Sequence, residues 1–131
     1  MRILILTQYF PPEVGAPQNR LLETARLLQQ SGNSVEILTA MPNYPELQVH
    51  KAYRGRFLVE DEIEGLRVVR TWIYASRRKT FLRRLANYFS FVVTSILGTG
   101  KMARCDIVLC ESPPLFLGMS AWVISLLKRA K

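Results

Sequence analysis

The sequence predicts an α/β domain built on a mostly parallel sheet wrapped by helices, with a β-hairpin insertion. Three observations lead there. Residues 2–7 are an apolar, β-branched run without alternation, the pattern of a strand covered on both faces; residues 35–39 read as a second strand, and residues 106–110 as another of the buried type. A strand, a helix and a second strand follow one another within residues 2–39, which reads as a βαβ unit and therefore as parallel pairing. The length of 131 residues suits one domain. With 49% hydrophobic, 10% aromatic and 21% charged residues, the composition excludes a disordered tail, a collagen-like repeat and a disulfide scaffold.

Taken in order, the first strand covers residues 2–7, and a loop runs from Tyr9 to Pro17. Pro17 suits the first turn of a helix. Leu21, Leu22, Ala25 and Leu28 then recur at helical spacing, and Gly32 stands where a C-terminal cap belongs. The second strand, Val35–Thr39, gives way to Met41-Pro42-Asn43-Tyr44-Pro45, whose two prolines exclude regular structure. Residues 57–73 predict a hairpin with its turn near Glu64-Gly65. From Thr80 a helix is expected, with Phe81, Leu82, Leu85, Tyr88, Phe89, Val92, Val93 and Ile96 as its apolar stripe. Residues 106–110 form another strand, Glu111-Ser112-Pro113-Pro114 breaks the chain, and a last helix runs over 115–128. The apolar cores of the two later helices, about 13 residues each, cover only ~20 Å against a ~30 Å bilayer core. Both are expected to lay a broad face on the sheet.

The net charge of +8 is local. Residues 1–64 carry six basic and eight acidic side chains. Residues 65–105 carry nine basic ones (Arg67, Arg70, Arg77, Arg78, Lys79, Arg83, Arg84, Lys101 and Arg104) and no acidic one. An anionic partner is implied. The cluster Arg77, Arg78, Lys79, Arg83 and Arg84 leads an amphipathic helix and suits anionic lipid headgroups, at ~1 kcal/mol per basic residue near the surface. A solvated charged face is the plainer alternative. Nucleic acid is not expected, because no helix-turn-helix, zinc knuckle or exposed aromatic pair on a strand accompanies the charge. Cys105 and Cys110 lie on opposite faces of one strand and cannot pair; with no C-x-x-C and one histidine, no metal site is expected. No signal peptide is read at the N-terminus, whose apolar run is too short.

Ligands of such sheets bind outside the carboxyl ends of the strands. Three segments emerge there: Tyr9 to Arg20, Ala40 to Pro45, and Glu111 to Gly118. Their prolines either preform a pocket or merely stop strands. Gly15 precedes the first helix, where a residue without a side chain lets a ligand reach free N–H groups and the positive end of the helix dipole. The surroundings are neither G-x-G-x-x-G nor a P-loop, so NAD binding has no support. Arg20, one turn on, could meet an anion there. Glu13 and Glu111 are candidate hydroxyl acceptors or bases, although a solvated surface site is the commoner fate of a loop glutamate. His50 has no evident partner.

Three segments in order resemble a known family. The opening through Gln8-Tyr9-Phe10-Pro11-Pro12-Glu13-Val14-Gly15-Ala16-Pro17-Gln18-Asn19-Arg20, then Val35 to Pro45, then Glu111-Ser112-Pro113-Pro114-Leu115-Phe116 are similar to bacterial family 4 glycosyltransferases. The resemblance covers nearly the whole chain. It is strongest to the N-acetyl-L-fucosamine transferases of O-antigen, capsule and colanic-acid synthesis. Where that family often has two adjacent glycines before the first helix, Gly15 is followed here by Ala16.

This resemblance implies that residues 1–131 are the Rossmann-like, acceptor-side half of a two-domain GT-B enzyme, with the donor-binding half outside them. The whole enzyme would move a sugar, with retention, from a nucleotide-sugar (UDP-linked) to a lipid-linked polysaccharide precursor. It would need no metal or further cofactor and would sit peripherally on the cytoplasmic face of the inner membrane. Substrate contacts are expected from Gly15, Ala16, Arg20, Asn43, Tyr44, Glu111 and Ser112, with no catalytic base assigned. Residues 1–131 alone are expected to bind acceptor weakly and turn nothing over. Two other classes stay open: a stand-alone nucleotide- or phosphate-binding module, and a membrane-surface interaction protein acting through residues 77–97.

Overall fold

The computed structural model describes residues 1–131. Five strands form one sheet: β1 (Arg2–Leu6), β2 (Ser34–Ala40), β3 (Leu58–Ile63), β4 (Leu66–Thr71) and β5 (Ile107–Cys110). Their spatial order is β3-β4-β2-β1-β5, with β1, β2, β4 and β5 parallel and β3 antiparallel at one edge. The helices are α1 (Ala16–Gln30), α2 (Phe81–Gly98) and α3 (Leu117–Lys128). The doubly wound sheet and the hairpin insertion follow the sequence reading, and the hairpin turns through Glu64 and Gly65, both at positive φ.

The sheet buries both faces. On one, Leu21 and Ala25 of α1 pack on Ile3, Ile5, Val35, Ile37 and Val68. On the other, Phe91 of α2 and Leu117 and Ile124 of α3 pack on Leu4, Leu6, Leu38, Ala40 and Val69. The strands thus alternate their side chains between two cores, which is why they read as continuous apolar runs. The β1 loop leads to α1 on one face and the β5 loop to α3 on the other. A crevice therefore opens between the carboxyl ends of these neighbouring strands.

One expectation is corrected. Of the apolar stripe read on α2, Val92 is buried and Leu85, Tyr88 and Ile96 are half-buried, but Phe81, Leu82, Phe89 and Val93 face solvent. Phe91, Thr94, Ser95 and Gly98, outside that stripe, are buried. Close approach and hydrogen bonding explain the shifted face. A Cβ on Gly98 would overlap Thr71 Cγ2, so only glycine lets the helix end settle on β4. Thr94 Oγ1 donates to Trp72 O at 2.6 Å, and the Ser95 and Ser120 hydroxyls bond at 2.6 Å between α2 and α3. Satisfied hydroxyls are buried at little cost. The outer face of α2 then carries Leu82, Ala86, Phe89, Val93 and Leu97, and that of α3 carries Met119, Trp122 and Leu126, with Leu115 exposed just before it. No helix is long and apolar enough to cross a membrane.

Candidate functional site

Two buried charges hold the loops at the carboxyl edge. Glu13, 2% exposed, accepts the backbone N–H of Asn43 and Tyr44 on Oε1 at 2.8 and 2.9 Å, and that of Phe10 on Oε2 at 3.2 Å. It therefore ties the β1 loop to the β2 loop. Burial pushes its pKa above the ordinary carboxylate value, and the three N–H groups with nearby Arg70 oppose that rise. Glu13 is thus neither a solvated surface glutamate nor a free base, because both oxygens are engaged with the backbone. Arg70, wholly buried, donates to Asp61 Oδ2 at 2.7 Å and to Ala40 O at 3.4 Å, and also bonds Pro11 O. Its guanidinium lies 5.6 Å from the Tyr53 ring centroid. Arg67 is likewise paired, with Glu36 and Glu60. Two of the nine cations of residues 65–105 are therefore structural.

A hollow of about 330 Å³ opens at the N-terminus of α1, lined by Tyr9, Val14, Gly15, Ala16, Pro17, Gln18 and Tyr44. The helix has no side-chain cap and no acidic residue in its first turn, so its first N–H groups keep their capacity for an anion. The Gln18 side chain is 4% exposed and its oxygen has no partner. A Cβ on Gly15 would overlap that same oxygen, so a larger residue here requires the end of the Gln18 side chain to move. The backbone at Gly15 is extended (φ 172°).

Tyr9 and Tyr44 meet edge to face, ring centroids 5.8 Å apart at 64°. They form a partition, since both also line a second cleft of about 480 Å³. Its other walls include Pro45 and Leu47 of the β2 loop, Ser76, Arg78 and Lys79 before α2, and Arg83, Arg84, Asn87 and Tyr88 on the inward face of α2. Gln8 Nε2 donates to Asn87 Oδ1 at 2.8 Å, and Asn87 Nδ2 to Tyr74 O at 2.6 Å, joining the β1 and β4 loops to α2. Burial pushes the Tyr9 hydroxyl up to about 12, so it is a neutral hydrogen-bonding group at pH 7. Arg83 donates to Tyr74 Oη and Ser76 Oγ. No ion pair engages Arg77, Arg78, Lys79, Arg83 or Arg84. Four of those five cations line the cleft; Arg77 does not.

At the β1–β5 crevice, Glu111 Oε2 accepts Thr7 Oγ1 at 2.9 Å and Oε1 accepts Arg20 Nη2 at 3.2 Å. Of the expected substrate contacts, Gly15, Ala16 and Tyr44 share the α1 hollow. Arg20 and Glu111 pair with each other outside its lining. Asn43 is buried, donating Nδ2 to Met41 O, with its side-chain oxygen unpartnered. Ser112 is exposed and lines neither cavity. Sequence reasoning missed Tyr9, Gln18, Asn87 and Tyr88 as lining residues; the inward turn of α2 beyond the sheet is what recruits the last two. No group of three or more His, Cys, Asp or Glu residues is arranged to hold a metal ion. Cys105 and Cys110 are both free, and burial pushes the Cys110 thiol up to about 11.

No protein-family model matches the chain. It is 26% identical, over its whole length, to a protein of Escherichia coli (strain K12) assigned by name to glycosyl transfer in colanic acid biosynthesis (WcaI). The chain spans about a third of that relative, 32% of its length.

Proposed function

We propose that the chain is the acceptor-side part of a glycosyltransferase that moves a sugar from a nucleotide-sugar to a lipid-linked polysaccharide precursor. One observation carries the reading. Two hollows stand side by side at the carboxyl edge, parted only by Tyr9 and Tyr44, and each suits an anion. One offers helix N–H groups, and the other offers four cations. A transferase must hold two substrates in adjoining places, and both of these substrates carry phosphate. The similarity to a protein named for glycosyl transfer supports the same reading.

In this account the donor diphosphate, UDP-linked, lies against Gly15 and the first turn of α1, where N–H groups and the helix dipole offset the charge of the leaving group. Gln18, which lines this hollow, has an unpartnered side-chain oxygen to accept a sugar or ribose hydroxyl. Glu111, oriented by Thr7 and Arg20, accepts a further hydroxyl at the crevice. A second half completes the donor site, and transfer proceeds with retention. The enzyme works peripherally on the inner face of the cytoplasmic membrane, with the apolar outer faces of α2 and α3 against lipid. That apolar face also favours a second reading, a membrane-surface interaction protein without transferase activity.

Equilibrium binding separates the two. UDP-glucose and farnesyl diphosphate, titrated separately and together, should both bind and should not compete, because they occupy different hollows. Mutual competition, or no binding of UDP-glucose at millimolar concentration, overturns the transferase reading.

A further inference from the structure

By its sequence, the cation cluster before and within the first turns of α2 suits lipid headgroups. Its geometry is different. Arg78, Lys79, Arg83 and Arg84 converge on one concave space of about 480 Å³, a volume within the range of small-molecule sites. The apolar face of α2 points the opposite way, through Leu82, Ala86, Phe89, Val93 and Leu97. No carboxylate neutralises the cleft: none lines it, and Glu46, the one acidic residue of the β2 loop, is exposed and outside the lining. Four cations held together without counter-charge repel one another in the empty state, so an anion bound there gains from all four.

We propose that this cleft is a specific site for the diphosphate group of a phosphate ester. Arg78, Lys79 and Arg84 supply the charge, their side chains making no hydrogen bond within the protein. Arg83 is held in place by Tyr74 and Ser76, so its planar fork is preset for a phosphate. Tyr9, Tyr44 and Tyr88 line the same space and offer hydroxyls and ring faces to the organic part. The site is too small for a stretch of duplex and too concave for a flat bilayer. Its existence does not depend on glycosyl transfer. The identity of its natural occupant as the lipid-linked acceptor rests on the reading above.

The test is calorimetric titration with inorganic pyrophosphate. It compares the wild-type chain, the Arg78→Ala/Lys79→Ala/Arg84→Ala variant and Arg77→Ala, whose altered residue lies outside the cleft. The three cleft positions are exposed and without partners, so the fold should persist; an unchanged thermal midpoint verifies this. Saturable binding is expected in wild type, weakened at least 30-fold in the triple variant and less than 3-fold in Arg77→Ala. Absence of binding at millimolar pyrophosphate, or equal loss in both variants, overturns the site.

Further arms identify the source. Farnesyl diphosphate binding at least tenfold tighter than pyrophosphate assigns a lipid-borne diphosphate, whereas equal affinity assigns a soluble one. Phosphatidylglycerol vesicles that lose binding in the triple variant, with no pyrophosphate binding, return the cations to the headgroup reading and overturn the proposal. Pyrophosphate binding without UDP-glucose binding leaves the site intact and overturns only the transferase reading.

Discussion

The carboxylate of Glu13 accepts the backbone N–H of Asn43 at 2.8 Å, so the loop after β1 and the loop after β2 are closed on one another by a buried charge. The same oxygen takes the N–H of Tyr44, which fixes the wall shared by both hollows. The two loops are therefore held by one buried carboxylate bonded to backbone N–H groups.

Replacing this group by its amide tests the clamp. Glu13→Gln keeps one oxygen but turns an amide N–H₂ toward the Phe10 N–H, and should cost about 2 kcal/mol, the range for an unmatched buried donor. The pH dependence has a definite sign. The folded-state pKa is raised, so the contribution of Glu13 is fully present below the ordinary carboxylate pKa and declines as pH rises through the shifted value. Urea midpoints of the two proteins across that acid range should converge as pH rises and part as it falls, the wild type being the more stable. Parallel curves would contradict the assignment.

Arg70 makes a larger prediction. It is fully buried, and its removal leaves Asp61 with the Tyr53 hydroxyl but no counter-charge and takes a donor from Pro11 O and Ala40 O. Arg70→Met should destabilise by about 3–5 kcal/mol, the usual cost of breaking one side of a buried pair. Adding Asp61→Leu should recover part of the loss. Chemical denaturation of the single and double variants checks both statements.

The difference between these two charges shows where sequence reading stops. The parallel, two-faced sheet could be anticipated because β1 and β5 carry apolar runs that a core on both faces explains, and β2 follows β1 through a helix. Gly15, Ala16 and Tyr44 could be placed at one edge because each follows such a strand within a Pro-rich loop. Nothing local distinguishes Glu13 from a solvated loop glutamate, or Arg70 from its neighbours in the basic segment; both depend on partners as far as 30 and 59 residues away as well as on nearer ones. The buried face of α2 departs in part from its apolar stripe for a related reason. Hydrophobic periodicity assumes that only apolar residues face the sheet, and here Thr94, Ser95 and Gly98 do so beside Phe91 and Val92.

At the mouth of α1, Gly15 and Gln18 should behave as a coupled pair. Gly15→Ala drives a methyl into Gln18 Oε1 and narrows the hollow, so UDP-glucose affinity should fall about tenfold, near 1.4 kcal/mol. In a Gln18→Ala background the same change should cost under threefold, because the overlapping atom is gone. Calorimetry on the four proteins of this cycle gives the coupling directly; additive effects would contradict the geometry.

The outer faces of α2 and α3 expose Val93, Trp122 (65% exposed) and Leu126. Val93→Ser/Trp122→Ser/Leu126→Ser should leave the thermal midpoint within 2 °C, since exposed positions contribute little. Sedimentation with vesicles containing anionic lipid should show at least a tenfold loss of binding. Retained vesicle binding would remove this face from contact with lipid.

The central claim is that the carboxyl edge holds a nucleotide-sugar beside Gly15. Amide chemical-shift mapping of the ¹⁵N-labelled chain during titration with UDP-glucose tests it most directly, because it detects millimolar binding and locates it. The account predicts saturable shifts at Gly15, Ala16, Gln18 and Tyr44, with the amides of β3 and of the α3 C-terminus unmoved. Shifts confined to another face, or none at all, would contradict it.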